Sequence, residues 1–409
     1  MKVPLVLAAT LLLPSVAAAN GQTTHVWITL QAVEQLEPGP VLDLLGRSDM
    51  RDPLVNGAMF PDGGYAVGDD YGEAAHWEPF QQAYLRWIRT HFEPPYDEGE
   101  AAGHVAFLMG MGSHGMADEV FDSLFMERSR VYDPGWSDPD VASLDTASDV
   151  LLAHQVGGVA PAESWLPAET LAGIFRDDLQ YEVSAQTLMD GQDLLYVALG
   201  VVDALALSDE RLATFGAAYP WTNEHLLNEA MPGSPLHEAK VVAAYFEDLW
   251  LRLHEEPSVG PILNFVPGHQ TYRHEQVAST VEARLALAFA RGVRVETLGS
   301  VHVEDEDGAV VPASVGAFYG DRSHSVLVTP EQDWAPDAAF TVYVEAGLMD
   351  HDGAVFDGEW SATFHTGDSP ADAGDDPGCG CGSSISGGGA ASWALVCLVG
   401  ARRRREACS

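Results

Sequence analysis

His114, Asp118 and Asp122 follow one another at i, i+4 and i+8 in HVAFLMGMGSHGMADEVFDS, residues 104–123. That spacing stacks an imidazole and two carboxylates on one face of a helix. Met109, Met111, Met116, Val120 and Phe121 leave only a narrow polar face, so the helix is expected to be buried with the three polar groups inside. Burying them together costs several kcal/mol or more unless something positive sits among them, and a divalent metal is the commonest solution. A solvent-facing stripe on an amphipathic helix is the competing reading. Further donors lie on both sides in sequence. His25 starts the helical stretch TTHVWITLQAVEQL, Asp62 falls in a Pro/Gly/Asp loop, and His76 stands near the start of a helix in which Trp77, Tyr84, Trp87 and Ile88 face inward. Asp145 and Asp149 form another i, i+4 pair at the head of an apolar helix, where acids are also ordinary partners of the helix dipole. His104, His154, His225, His237 and His254 lack partners at ligand spacing or sit on exposed-looking faces and are read as structural.

The elements that must position these groups are helical. The helical period runs through residues 20–256, where QDLLYVALGVVDALAL and LHEAKVVAAYFEDLWLRLH supply core and walls. Over 257–367 short alternating segments with Gly/Asp turns replace it, among them SVHVEDEDGAVV, HSVLVTP and AFTVYVEAGLMD, which predicts a small all-β sandwich. Residues 368–389, rich in Asp, Gly, Ser and Ala, read as a flexible linker.

The 409 residues carry a formal net charge of -41, which leans against a nucleic-acid partner and against anionic lipid head groups. MKVPLVLAATLLLPSVAAAN reads as a secretory signal peptide over 1–19, so export is expected, with Asn20 as the first mature residue. All four cysteines lie in the last stretch, Cys379, Cys381, Cys397 and Cys408, so the predicted domains hold no disulfides and metal ions are the expected cross-links. Over 379–409 the GCGC pair Cys379 and Cys381, the short apolar run Ala390 to Ala401 and Arg402 to Arg405 resemble a myxosortase-type sorting tail. That resemblance implies a sorting protease as partner and peripheral attachment to the cell envelope. A plain weak C-terminal anchor is the alternative, since the apolar run is short of the roughly 20 residues a spanning helix needs.

Taken in order, THV at 24–26, FPD at 60–62, AHWEPF at 75–80, VAFLMG at 105–110 and SHGMAD at 113–118, followed by the acidic helix start, resemble the zinc-dependent phospholipase C family. Within it they look most like the catalytic domain of glycosylphosphatidylinositol-specific phospholipase D. The strand pattern over 257–367 resembles bacterial Ig-like domains. The resemblance implies a mostly α-helical multi-metal phospholipase C-like domain followed by a small all-β Ig-like sandwich, with two or three zinc ions at the floor of a cleft. It implies His25 as the N-terminal metal histidine, and Asp62 as a ligand and the acid that orients or deprotonates the attacking water. It implies His76, His114 and Asp118 as the first zinc's ligands, with Asp118 bridging to a neighbouring ion. Asp122, Asp145 and Asp149 match the last ion's set, which in the family is usually two histidines and an acid. Three carboxylates make a harder oxygen site that also suits Mn, Mg or Ca. The mature terminal amine of Asn20 is a further possible ligand. Trp77 and Tyr65 could face a choline-like cation in the cleft, or could be core packing.

The activity so implied is hydrolysis of a phospholipid, or another phosphodiester, by metal-activated water in the manner of a phospholipase C or D. A cell-surface binding or adhesion protein with a degenerate metal site is the alternative from another class. A three-zinc nuclease is a further alternative, which the acidity disfavours.

Overall fold

The computed structural model describes residues 20–160, 162–256, 260–268, 273–274, 277–278 and 281–367. The signal peptide read at 1–19 and the linker and sorting tail read at 368–409 lie outside the described residues.

The first part is helical: α1 (Gln22–Gln35), α2 (Pro40–Leu45), α3 (Arg51–Met59), α4 (Asp62–Val67), α5 (Tyr71–His76), α6 (Glu78–His91), α7 (Gly99–Val120), α8 (Glu127–Tyr132), α9 (Leu144–Val156), α10 (Ala168–Asp178), α11 (Ala185–Ala206), α12 (Asp209–Ala218), α13 (Pro220–His225) and α14 (Pro235–Leu253). Helix α7 is the axis, buried at every residue from Ala101 to Val120. It begins before His104, at Gly99, and passes into a π-helical turn over Phe121–Met126.

Three glycines let other backbones touch α7. A Cβ on Gly110 would lie 2.0 Å from the Leu54 carbonyl oxygen, and one on Gly57 would lie 2.2 Å from that of Phe107, so α3 and α7 cross backbone to backbone. A Cβ on Gly115 would lie 2.2 Å from the His76 carbonyl oxygen, which puts the end of α5 on the same helix. Two local expectations are corrected here. Asp62 is the first residue of α4 rather than part of a loop, and His76 ends α5, with the amphipathic helix starting two residues on at Glu78 and carrying Pro79 in its first turn.

Strands β1 (Ile262–Val266), β2 (Arg273–His274), β3 (Val277–Ala278), β4 (Leu285–Phe289), β5 (Val301–Asp305), β6 (Ala313–Ala317), β7 (Ser325–Pro330), β8 (Ala339–Val344) and β9 (Trp360–His365) follow. They form an antiparallel sheet in the order β1-β4-β7-β6, a second in the order β5-β8-β9, and the small pair β2-β3. Alternation explains the packing. In β8, Phe340, Val342 and Val344 are buried while the intervening residues are not, and they meet Leu285, Leu287 and Phe289 of β4 and Val326 and Val328 of β7 in one core. The other face of β4 carries Ala286 and Ala288, which join the core of the helical domain. The first sheet is therefore covered on both faces, and small side chains allow the close approach. A mostly helical domain followed by a small antiparallel β domain is the architecture that the patterning predicts.

Candidate metal centre

Five expected residues, brought by four helices, converge. Asp62, His76 and His114 offer ligand atoms all within 4.8 Å of one another, and so do His25, His114 and Asp118. His25 and His114 are fully buried and their rings stack at 3.6 Å.

The imidazole tautomers follow from their partners. Nδ1 of His76 lies 2.6 Å from the Gly72 carbonyl oxygen, and Nδ1 of His114 lies 2.7 Å from that of Ala58. A carbonyl only accepts, so each ring carries its proton on Nδ1 and turns Nε2 inward. Those two Nε2 atoms are 3.0 Å apart, and two bare lone pairs at that distance require a positive centre. In the free protein one proton serves. Burial alone would lower His76, but Asp62 and Asp118 raise it to about 9, while burial and neighbouring His25 pull His114 down to about 3.

Carboxylates face the same point. Asp62 Oδ1 lies 3.4 Å from His76 Nε2 and 3.7 Å from His114 Nε2, and Gln22 Nε2 donates to Asp62 Oδ2. Burial would raise the Asp62 carboxyl, yet the imidazoles hold it at about 2. Asp118 divides its oxygens. Oδ2 lies 3.5 Å from both His76 Nε2 and His114 Nε2, whereas Oδ1 lies 3.1 Å from His25 Nε2 and 3.3 Å from the backbone nitrogen of Asn20. A metal ion fits this arrangement by donor chemistry: imidazole nitrogen and carboxylate oxygen are zinc's ordinary protein ligands, and the imidazoles of His76 and His114 are oriented by the carbonyls of Gly72 and Ala58. Since His114 Nε2 can serve one ion, the two groupings divide into an Asp62/His76/His114 side and a His25 side, with Asp118 between them.

The three expected carboxylates of the last ion are not gathered with these five. Asp149 accepts from Thr24 N at 2.7 Å, Thr24 Oγ1 at 2.8 Å and Thr23 N at 3.3 Å, so it caps the N-terminus of α1 from a distance. Asp145 stays in the first turn of α9, half-buried. Asp122 is fully buried, and its Oδ2 accepts from the Tyr319 hydroxyl. Burial and nearby Asp118 push its carboxyl well above the ordinary range. Trp77 and Tyr65 stand at the edge rather than in the core. Their rings lie 6.2 and 5.2 Å from that of His76, and Glu73 ties them together by accepting from Tyr65 Oη at 2.9 Å and Trp77 Nε1 at 3.0 Å.

Sequence reasoning missed Gln22, Glu238 and Tyr319. Glu238 is fully buried on the core face of α14 with Val241, Val242 and Tyr245, and it accepts from Asn20 Nδ2 at 2.7 Å. An acid on an apolar helical face was the available signal. Gln22 and Tyr319 had none, because their contacts depend on tertiary packing.

The fold and site define a helical domain with a buried His/Asp cluster that could hold a metal ion, joined to a β domain. Over 174 residues, 38% of this chain and 20% of the relative, the sequence is 32% identical to phosphatidylinositol-glycan-specific phospholipase D of Bos taurus. The Homo sapiens protein of that name is 30% identical over 171 residues, again covering 38% of this chain and 20% of the relative. The matched stretch thus spans a fifth of these relatives' length. No family model matches the chain. Among solved structures, surface layer protein SbsC, domains 1-6, aligns over 85% of this chain and 46% of its own at 11% identity, with a TM-score of 0.22, too slight a likeness to carry an argument.

Proposed function

We propose that this chain is an exported, metal-dependent phosphodiesterase that hydrolyses a phospholipid, cutting in the manner of a phospholipase C or D. The observation that carries this reading is the pair of inward Nε2 atoms of His76 and His114 at 3.0 Å, flanked by Asp62 and Asp118. The similarity to phosphatidylinositol-glycan-specific phospholipase D supports the substrate class.

His76, His114, Asp62 and one oxygen of Asp118 would hold one zinc ion, and His25 with the other oxygen of Asp118 would serve a second. When bound, such ions supply Lewis-acid polarisation of the phosphoryl oxygens and a water acidic enough to ionise near neutral pH. The chain's own residues do the rest. The carbonyls of Ala58 and Gly72 fix the imidazoles, so that the centre keeps its shape as charge changes. Asp62 is the most exposed of the five, with its side chain 19% accessible, and Gln22 fixes its carboxylate. Ionised beside these imidazoles and reached from solvent, Asp62 would orient the attacking water by accepting its hydrogen bond. Tyr65 and Trp77, braced by Glu73, offer aromatic faces at the edge where a headgroup would lie.

The commitment of Asp149 to the α1 cap supports a centre of two ions rather than three. The full-length chain, purified with its zinc, is assayed on phosphatidylcholine and phosphatidylinositol vesicles and on single-stranded DNA. Lipid hydrolysis that disappears in His114→Ala is the expected outcome. Equal activity in wild type and variant, or cleavage of DNA alone, would sink the proposal.

A further inference from the structure

The β domain reaches the edge of the metal centre. From the segment between β6 and β7, Tyr319 donates its hydroxyl to Asp122 Oδ2, and its ring lies 4.9 Å from that of Trp77. Asp122 continues the helix of Asp118, and Trp77 follows His76. Tyr319 therefore spans the two sides from which the ligands come.

Its neighbours fix it there. Arg322 NH1 donates to Glu73 Oε1 at 2.7 Å, the same carboxylate that braces Tyr65 and Trp77. Glu119, next to Asp118 in the chain and buried, accepts from Ser323 Oγ at 2.8 Å, His324 N at 2.6 Å and Ser325 N at 2.9 Å, and faces His324 Nδ1 at 2.8 Å. A buried carboxylate with this many donors is a rigid joint, because losing them would leave its charge unpaired. The segment carrying Tyr319 is thus locked onto α7 one residue from a proposed ligand.

We infer that Tyr319 is a specificity-determining residue, through which the β domain extends the aromatic wall of the headgroup subsite beside Trp77 and Tyr65. The inference rests on the phosphodiesterase reading. The ions would hold the phosphate itself, whereas the organic group attached to it would lie against the edge that these packed rings form. An aromatic wall with two side-chain torsions contributes contact at little entropic cost, so its removal changes affinity for the organic part far more than for the phosphate.

The test is calorimetric binding of inorganic phosphate, phosphocholine and inositol 1-phosphate to the zinc-loaded full chain, none of them a diester the enzyme could consume. Tyr319→Ala should weaken at least one organic phosphate about tenfold or more while changing inorganic phosphate less than about threefold. Tyr319→Phe, which keeps the ring, should stay near wild type for all three. If Tyr319→Ala does not fold, Tyr319→Leu, which fills the space without an aromatic face, is read in the same way. Parallel losses for all three ligands, no change for any, or a wild type that discriminates none of them would overturn the inference. Failure of the phosphodiesterase reading is separate and shows as absence of phospholipid turnover by wild type, whatever the binding ratios.

Discussion

His114 holds the centre together because both ligand groupings pass through it and its other nitrogen is tied to Ala58. Loss of a group that merely orients a ligand costs about 10–100-fold in metal affinity or activity, so His114→Ala should cost more than about 100-fold in zinc affinity. Competition with a chromogenic chelator would read it. Asp149 gives the contrasting case. Asp149→Ala leaves the Thr23 and Thr24 amides without their cap, so denaturant unfolding should show a loss of about 1–2 kcal/mol while bound zinc is unchanged. Loss of zinc instead would return Asp149 to the ligand set. His114 and Asp118 were legible in the sequence because their spacing is local to one helix. The hydrogen bonds of Asp149 were not, since an acid in an early helical turn looks the same whether it caps another helix or binds an ion. Its partners lie 126 and 125 residues away.

At the scale of elements, the helical and strand periods made the two-part architecture readable, because burial imposes a period on each segment by itself. What could not be read was how closely helices approach. Gly57, Gly110 and Gly115 carry α3 and α5 onto α7 and so bring Ala58 and His76 to His114. Gly115→Ala would set a methyl group against the His76 carbonyl, costing about 1–3 kcal/mol if the elements move apart. Because that motion carries His76 away, zinc affinity should fall more than stability alone would explain, which paired calorimetric and thermal titrations would reveal. The π turn at Phe121–Met126 was likewise hidden, as its residues keep an ordinary apolar pattern.

At the scale of the whole molecule, the β domain is fastened by buried polar groups as well as by the alanine face of β4. Glu78, buried, bonds both Arg252 NH2 at 2.6 Å and the backbone nitrogen of Gly292 at 2.6 Å, and Arg128 makes a paired bond to Glu282. His237 adds a pH-sensitive joint. Its Nδ1 accepts from Gly233 N at 3.0 Å, and its Nε2 lies 3.1 Å from the side-chain amide of Asn264 in β1. Burial, reinforced by Lys240 and Arg128, lowers it to about 4 from an ordinary 6.5. Between those values the unfolded chain takes up a proton that the folded chain refuses, so this contribution is complete above pH 6.5 and is lost as pH falls towards 4. The stability difference between wild type and His237→Gln, followed by urea unfolding, should therefore shrink over that interval. A constant difference would refute the joint.

The most direct test of the metal centre is zinc content by mass spectrometry of the purified full chain, measured beside phospholipid hydrolysis before and after chelation. The expected result is bound zinc in wild type, its loss together with activity on chelation, recovery of both on adding zinc back, and neither in His76→Ala nor His114→Ala. A chain that hydrolyses phospholipid equally well without its metal, or that keeps its full zinc after both histidines are removed, would contradict the assignment.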